Sequence, residues 1–217
     1  MTKHHADRRS AWRPLAFAAV GTATLVAMGT GVWATLSATA TNTTPEQVTS
    51  GTLKLTMANN GAGFSQNITN LAPGDTVNRY VDLTNGGSLD GQALTLQVAA
   101  TGSAPLVTDG ATSKALRVSI WQCTGGTWNP SSGVCTGGTA TSLLAATPLS
   151  GLGSAVPLVP GSLASGGVTR LQVSVQLPDQ TETTVNGVAP AATVQGQSVS
   201  LTYTFNETQR NAATTNS

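Results

Sequence analysis

The densest group of side chains able to do chemistry lies between Asp75 and Asp82. Asp75, Arg79, Tyr80 and Asp82 fall within eight residues, in a chain of 217 whose charged residues amount to only 9%. Carboxylates beside a guanidinium and a phenol are the parts of an acid–base site, where one group holds a proton and another stays ionised. Strand geometry separates them here. In "TVNRYVDLT" successive side chains alternate, so Val77, Arg79, Val81 and Leu83 share one face and Asn78, Tyr80 and Asp82 the other. Arg79 therefore points away from Tyr80 and Asp82. Asp75 closes the turn Pro73-Gly74-Asp75, where its carboxylate can bond the backbone ahead of it.

Beyond the N-terminal basic region, which holds Asp7, the remaining carboxylates, Glu46, Asp90, Asp109, Asp179, Glu182 and Glu207, are scattered, and only Asp179 and Glu182 are near neighbours. A zinc peptidase needs imidazoles to hold the ion and a carboxylate to take the proton from water, as in H-E-x-x-H on a helix. The chain has two histidines, His4 and His5, both at the extreme N-terminus. A Ser/His/Asp or Cys/His triad fails for the same want of histidine. Asp82, Asn85 and Asp90 in "DLTNGGSLDG" offer oxygens to calcium, but their spacing is not that of an EF-hand loop. The expectation is a protein without catalytic residues, cofactor or metal.

Two cysteines, Cys123 and Cys135, bracket the turn-rich stretch "TGGTWNPSSGV". In an exported chain such a pair reads as a disulfide. Trp121, on the polar face of its strand, is expected to pack under the loop that carries Trp128 and to shield the bridge. An exposed platform of Trp121, Trp128 and Tyr80 on an adhesin-like or carbohydrate-binding surface module is the alternative.

Export is expected from the N-terminus. Lys3, Arg8, Arg9 and Arg13 precede the uncharged run "PLAFAAVGTATLVAMGTGVWA", a basic region followed by an apolar one. Small residues suit cleavage after Ala34, or after Ala40. The apolar run is also long enough, at the usual ~20 residues, to remain as a membrane anchor. Net charge is +1 and no basic stripe with interleaved aromatics occurs, so nucleic acid is not expected as a partner.

Behind these residues stands a regular scaffold. "TLKLTM", "GQALTLQVA", "KALRVSIWQ", "VTRLQVSVQL" and "QSVSLTYTFN" alternate apolar with Ser, Thr or Gln, the pattern of half-buried antiparallel strands. Turn dipeptides separate them, and Asn85-Gly86-Gly87 is expected to close a hairpin into the Leu94 strand. "TSLLAATPLSGL" (Thr141–Leu152) is the best candidate for a short helix. The long stretch Leu177–Gln197 reads as a crossover between sheets. The expected organisation is a signal peptide over 1–34, an extended Thr-rich arm over 35–50, and an all-β domain over 51–217. That domain is read as a jelly-roll-like antiparallel β-sandwich of about eight strands.

Three stretches in order carry a resemblance. "SGTLKL" at Ser50–Leu55, "NITNLAPGDTVNRYVDLTNGGSLDGQALTLQV" at Asn67–Val98 and "LTYTFNETQR" at Leu201–Arg210 together resemble the TasA/camelysin family of exported Gram-positive proteins. "GTGVWA", ending at Ala34, is similar to the end of that family's signals, which a SipW-type signal peptidase removes. The resemblance implies a jelly roll and two alternative functions. TasA-like members are subunits of extracellular biofilm matrix fibres, in which an N-terminal strand of one subunit completes the sheet of the next. Camelysin-like members are described as surface metalloproteases. Under the first, the chain self-associates into filaments, with other matrix or cell-surface components as possible partners. The arm would then be the donor strand, with Thr41, Thr43, Thr44, Val48 and Thr49 as β-branched residues available for pairing.

Overall fold

The computed structural model describes residues 49–64, 68–109, 114–158 and 163–214. The signal region, the cleavage positions Ala34 and Ala40, and the arm residues Thr41, Thr43, Thr44 and Val48 lie outside the described residues. Thr49 is described, and it is exposed and outside any strand.

Ser50–Ser217 forms one unit, whose described residues hold ten strands in antiparallel pairing. One sheet has the order β1 (Leu55–Asn60), β2 (Thr76–Asn85), β9 (Val168–Gln176), β4 (Arg117–Thr124) and β7 (Thr139–Pro148). A second has the order β10 (Val199–Gln209), β3 (Gly91–Gly102) and β8 (Val156–Pro157). β5 (Thr127–Trp128) and β6 (Cys135–Thr136) form a small hairpin. A four-residue helix, Ala104–Val107, and a 3₁₀ turn, Leu149–Gly151, are the helical elements among the described residues. The fold is the expected all-β sandwich.

The core follows from alternation. Val81 and Leu83 of β2, Leu171 and Val173 of β9, Val118 and Ile120 of β4, and Leu94 and Leu96 of β3 are all inaccessible to solvent. These residues come from both sheets and form one cluster, so burying them accounts for the two-layer arrangement.

Two local expectations are corrected. Thr141–Leu152 is not a helix: it lies in β7 and the following 3₁₀ turn. The adjacent Leu143 and Leu144 break the period of two, and the register against β4 shifts on both sides of Ile120. β7 carries the extra residues, so an apolar run that suggests a helix is absorbed as bulges. Nor does Asn85-Gly86-Gly87 close a hairpin. β2 and β3 belong to different sheets, and the segment between them crosses from one to the other. Asn85, fully buried, holds that crossing. Its Nδ2 donates to the carbonyls of Leu89 (2.8 Å) and Leu163 (3.2 Å), and its Oδ1 accepts from the Gly87 N–H (2.9 Å). The long stretch after β9 does cross between sheets, as expected, since β9 and β10 lie in different ones.

Candidate functional site

The residues that suggested acid–base chemistry are dispersed. The Asp75 carboxylate accepts from the Ala72 N–H at 2.9 Å, the turn bond expected of it. Arg79 lies on the inner face of β2, opposite Val173 of β9, and its charge is felt at Tyr203 of β10. Asp82 lies on the outer face, opposite Arg170, with Oδ2 3.9 Å from the guanidinium Nε. Asp90 accepts from the Ser165 N–H at 2.8 Å. Asp109 binds Arg117 at 3.2 Å and the Ala115 N–H at 2.9 Å.

Two carboxylates are held in polar or buried settings. The Glu182 side chain is 4% exposed. It accepts from the Thr193 hydroxyl (2.6 Å) and the Val194 N–H (2.9 Å), and it lies 3.5 Å from Lys114. The Thr193 bond foremost, then the Val194 amide and the lysine, hold its carboxyl below the usual range against the opposing effect of burial. Glu207, at the β10 bulge, accepts from the Leu163 N–H at 2.7 Å, and burial pushes its carboxyl up. Each anchors a loop. Asp82, Asn85 and Asp90 do not converge, because each is engaged elsewhere. Among the described residues no three His, Cys, Asp or Glu side chains gather where they could hold a metal ion. The described carboxylates stand without an imidazole beside them, so this set does not supply the ligands of a catalytic zinc.

Cys123 and Cys135 form the expected disulfide, with Cα atoms 5.5 Å apart. It pins a flap over the outer face of the five-stranded sheet. The residue beneath the flap is Tyr80, not Trp121. Tyr80 and Trp128 are 5% and 4% exposed, with ring centroids 5.8 Å apart. The Trp128 indole donates to the Arg170 carbonyl at 3.1 Å, and Asn60 donates to the Trp128 carbonyl at 3.2 Å. Trp121 is left 39% exposed. Its parity is correct, but the flap leans across β9 toward β2 rather than over its own strand. The three-residue aromatic platform therefore does not form.

What the sequence did not disclose is an open cleft between the sheets. Met57 of β1 pairs with Leu83, whose side chain is fully buried, so by register Met57 also faces inward. Yet Met57 is 48% exposed. Across from it, β10 is, among the described residues, an edge strand paired with β3 alone. The inward residues of β10, Val199, Leu201, Tyr203 and Phe205, are all only partly buried. Between β1 and β10 lies an open cleft of about 260 Å³, bounded by Leu55, Thr56, Met57, Leu83, Tyr203, Thr204 and Phe205.

One end of this inner face is filled from within the domain. After β1 the chain turns through Gly61 and Gly63, both at positive φ, which a side chain would resist. The Phe64 N–H donates to the Asn59 side chain at 3.2 Å. The Phe64 ring then stacks on Tyr203, with centroids 4.4 Å apart and planes 7° from parallel. Burial raises the Tyr203 hydroxyl pKa well above its usual range, opposed by the Arg79 charge. Beyond this stack the cleft is open and apolar.

No curated protein matches the chain. A solved structure similar to it is a family 123 glycoside hydrolase from Clostridium perfringens, described for glycolipid glycan hydrolysis. Identity is 12%, covering 64% of this chain and 21% of that enzyme, with a TM-score of 0.25. The chain thus spans about a fifth of that enzyme's length, and the likeness carries no functional weight. The model of the camelysin metallo-endopeptidase family matches residues 13–113, just under half of the chain. That match runs over the same "SGTLKL" and "NLAPGDTVNRYVDLTNGG" stretches that carry the resemblance, and over them the chain is similar to the camelysin family.

Proposed function

We propose that this protein is a secreted structural subunit of extracellular filaments, of the kind found in biofilm matrix, and that it assembles by β-strand donation. The arm of one copy, residues 35–50, lies along the free edge of β10 in the next copy and covers Met57 and Phe205. The observation that carries this reading is Met57, inward by register and 48% exposed over the cleft. The second sheet is one strand short at that place. An added strand gains main-chain hydrogen bonds from the β10 edge and seats alternate side chains in the cleft. The far edge of the large sheet favours no such partner, since the bulges of β7 blunt it. Donation from head to tail is a heterologous contact and builds an open filament.

The name of the matching family raises a peptidase as the other reading. Asp75, Asp109, Glu182 and Glu207 are tied to backbone amides, lysine, threonine or arginine, and the described residues include no histidine. We take the protein as a non-enzyme on that ground. One purification tests both points. The exported protein should form filaments, and a form lacking residues 35–50 should stay a folded monomer. Neither should hydrolyse peptides in a chelator-sensitive way. Filaments from the shortened form would defeat strand donation, and chelator-sensitive turnover would defeat the non-enzymatic reading.

A further inference from the structure

We propose that Asn186 is a modification site, where the side-chain amide is lost to leave aspartate and isoaspartate, and that the fold protects the two other asparagines placed to react in this way.

The reaction needs an asparagine followed by a residue whose backbone nitrogen can be reached. Glycine suits it best, having no Cβ in the way. The glycine N–H gives up its proton, and the nitrogen bonds to the asparagine Cγ. The Cγ–Nδ2 bond breaks, and Nδ2 leaves with its electron pair and that proton as ammonia. Water then opens the cyclic imide. Attack at Cγ restores the ordinary chain with an aspartate. Attack at the backbone carbonyl leaves the chain running through Cγ, as isoaspartate.

Three Asn-Gly pairs occur: Asn60-Gly61, Asn85-Gly86 and Asn186-Gly187. The structure separates them. Asn85 is fully buried, and its amide is engaged at both ends by Leu89, Leu163 and Gly87. The nitrogen that would attack it, that of Gly86, donates to the Lys54 carbonyl at 2.8 Å. Asn60 is half-buried at the end of β1, with its Nδ2 donating to the Trp128 carbonyl at 3.2 Å. A Cβ on Gly61 would lie 2.9 Å from the Pro130 Cβ, so the disulfide-pinned flap packs closely on that turn.

Asn186 and Gly187 are exposed and form a two-residue turn, with φ of 52° and 78°. Asn-Gly is the pair that such a turn selects. Val185 and Val188 close it with two backbone bonds, each 2.9 Å. No burial holds it further, since these valines are 68% and 70% exposed. The Asn186 amide makes no hydrogen bond among the described residues. A Cβ on Gly187 would meet nothing within 4 Å. A lone two-stranded hairpin is marginal in water, so this tip opens locally while the domain stays folded. Opening lets the Gly187 nitrogen swing onto the Asn186 Cγ. The same freedom at Asn85 requires the crossing between the sheets to come apart.

The change stays at the tip. At its base Glu182 accepts from the Thr193 hydroxyl and the Val194 N–H, which ties the two ends of the segment together. Isoaspartate lengthens the backbone inside the turn and breaks the Val185–Val188 pair. Either product places a negative charge beside two exposed valines.

The test incubates the exported protein in mildly alkaline buffer, folded in one arm and unfolded in guanidinium chloride in the other. Peptide mapping by mass spectrometry follows amide loss at all three asparagines. In the folded protein Asn186 should convert at least tenfold faster than Asn60 or Asn85, giving both products, and the melting temperature should not change. In the unfolded chain the three rates should converge. Conversion of Asn60 or Asn85 as fast as Asn186 in the folded protein overturns the proposal. So does a tenfold gap that persists in guanidinium chloride, since local sequence and not the fold would then set it. A melting temperature that falls as Asn186 converts contradicts confinement of the change to the tip.

Discussion

Glu182 and Glu207 respond to pH in opposite senses. The folded state holds the Glu182 carboxyl below its ordinary value of 4.5, chiefly through the Thr193 hydroxyl. Its stabilisation is therefore complete above that value and is lost as pH falls through the lower folded pKa. Burial raises the Glu207 carboxyl above 4.5. Its contribution is complete below that value and is lost as pH rises through the higher folded pKa. Melting temperatures across pH 3 to 8 should show this. Glu182→Gln should flatten the acid limb, and Glu207→Gln should flatten the decline on the other side. A Glu207→Gln profile that superimposes on the parent above pH 4.5 would show that the buried carboxyl does not titrate in that range. At this scale the sequence was a mixed guide. The parity that removed Arg79 from Tyr80 and Asp82 holds in the structure, because alternation is fixed by the backbone alone. The roles of Glu182 and Asn85 were not legible. Their partners, Thr193 and Leu163, are brought to them by crossings between sheets, which no local pattern specifies.

Strands whose two faces differ sharply were read correctly, since burial of one face sets their register. β3, β4 and β9 all place the expected residues in the core. β7 was missed because its bulges erase the period of two. The cleft was missed for a different reason. The alternation in β10 looks the same whether its apolar face is covered or left half open, so a missing neighbour leaves no mark in the strand itself. The flap shows the same limit: Cys123 and Cys135 announced the bridge, but which side chain lay beneath depended on the direction in which the loop leans. Removing the bridge with Cys123→Ser and Cys135→Ser should lower stability by about 3 kcal/mol, as expected for a loop of this length. Trp128 and Tyr80 should then become accessible. Tryptophan emission should shift to the red and quenching by iodide should rise. Unchanged emission and melting temperature would mean that the flap is held without the disulfide.

At the scale of the molecule, the two sheets differ in extent, five strands against three, and the mismatch is exposed where β1 faces β10. The bulges of β7 blunt the far edge of the five-stranded sheet, and in the proposed assembly β10 is the edge that receives the donated arm. The most direct test of that account is amide hydrogen exchange in β10, compared between dispersed protein and filaments. The account predicts that the free-edge amides between Leu201 and Glu207 exchange quickly in the dispersed protein and become protected by at least tenfold in filaments, while β7 is unchanged. Filaments in which β10 exchanges as fast as in the dispersed protein would contradict it.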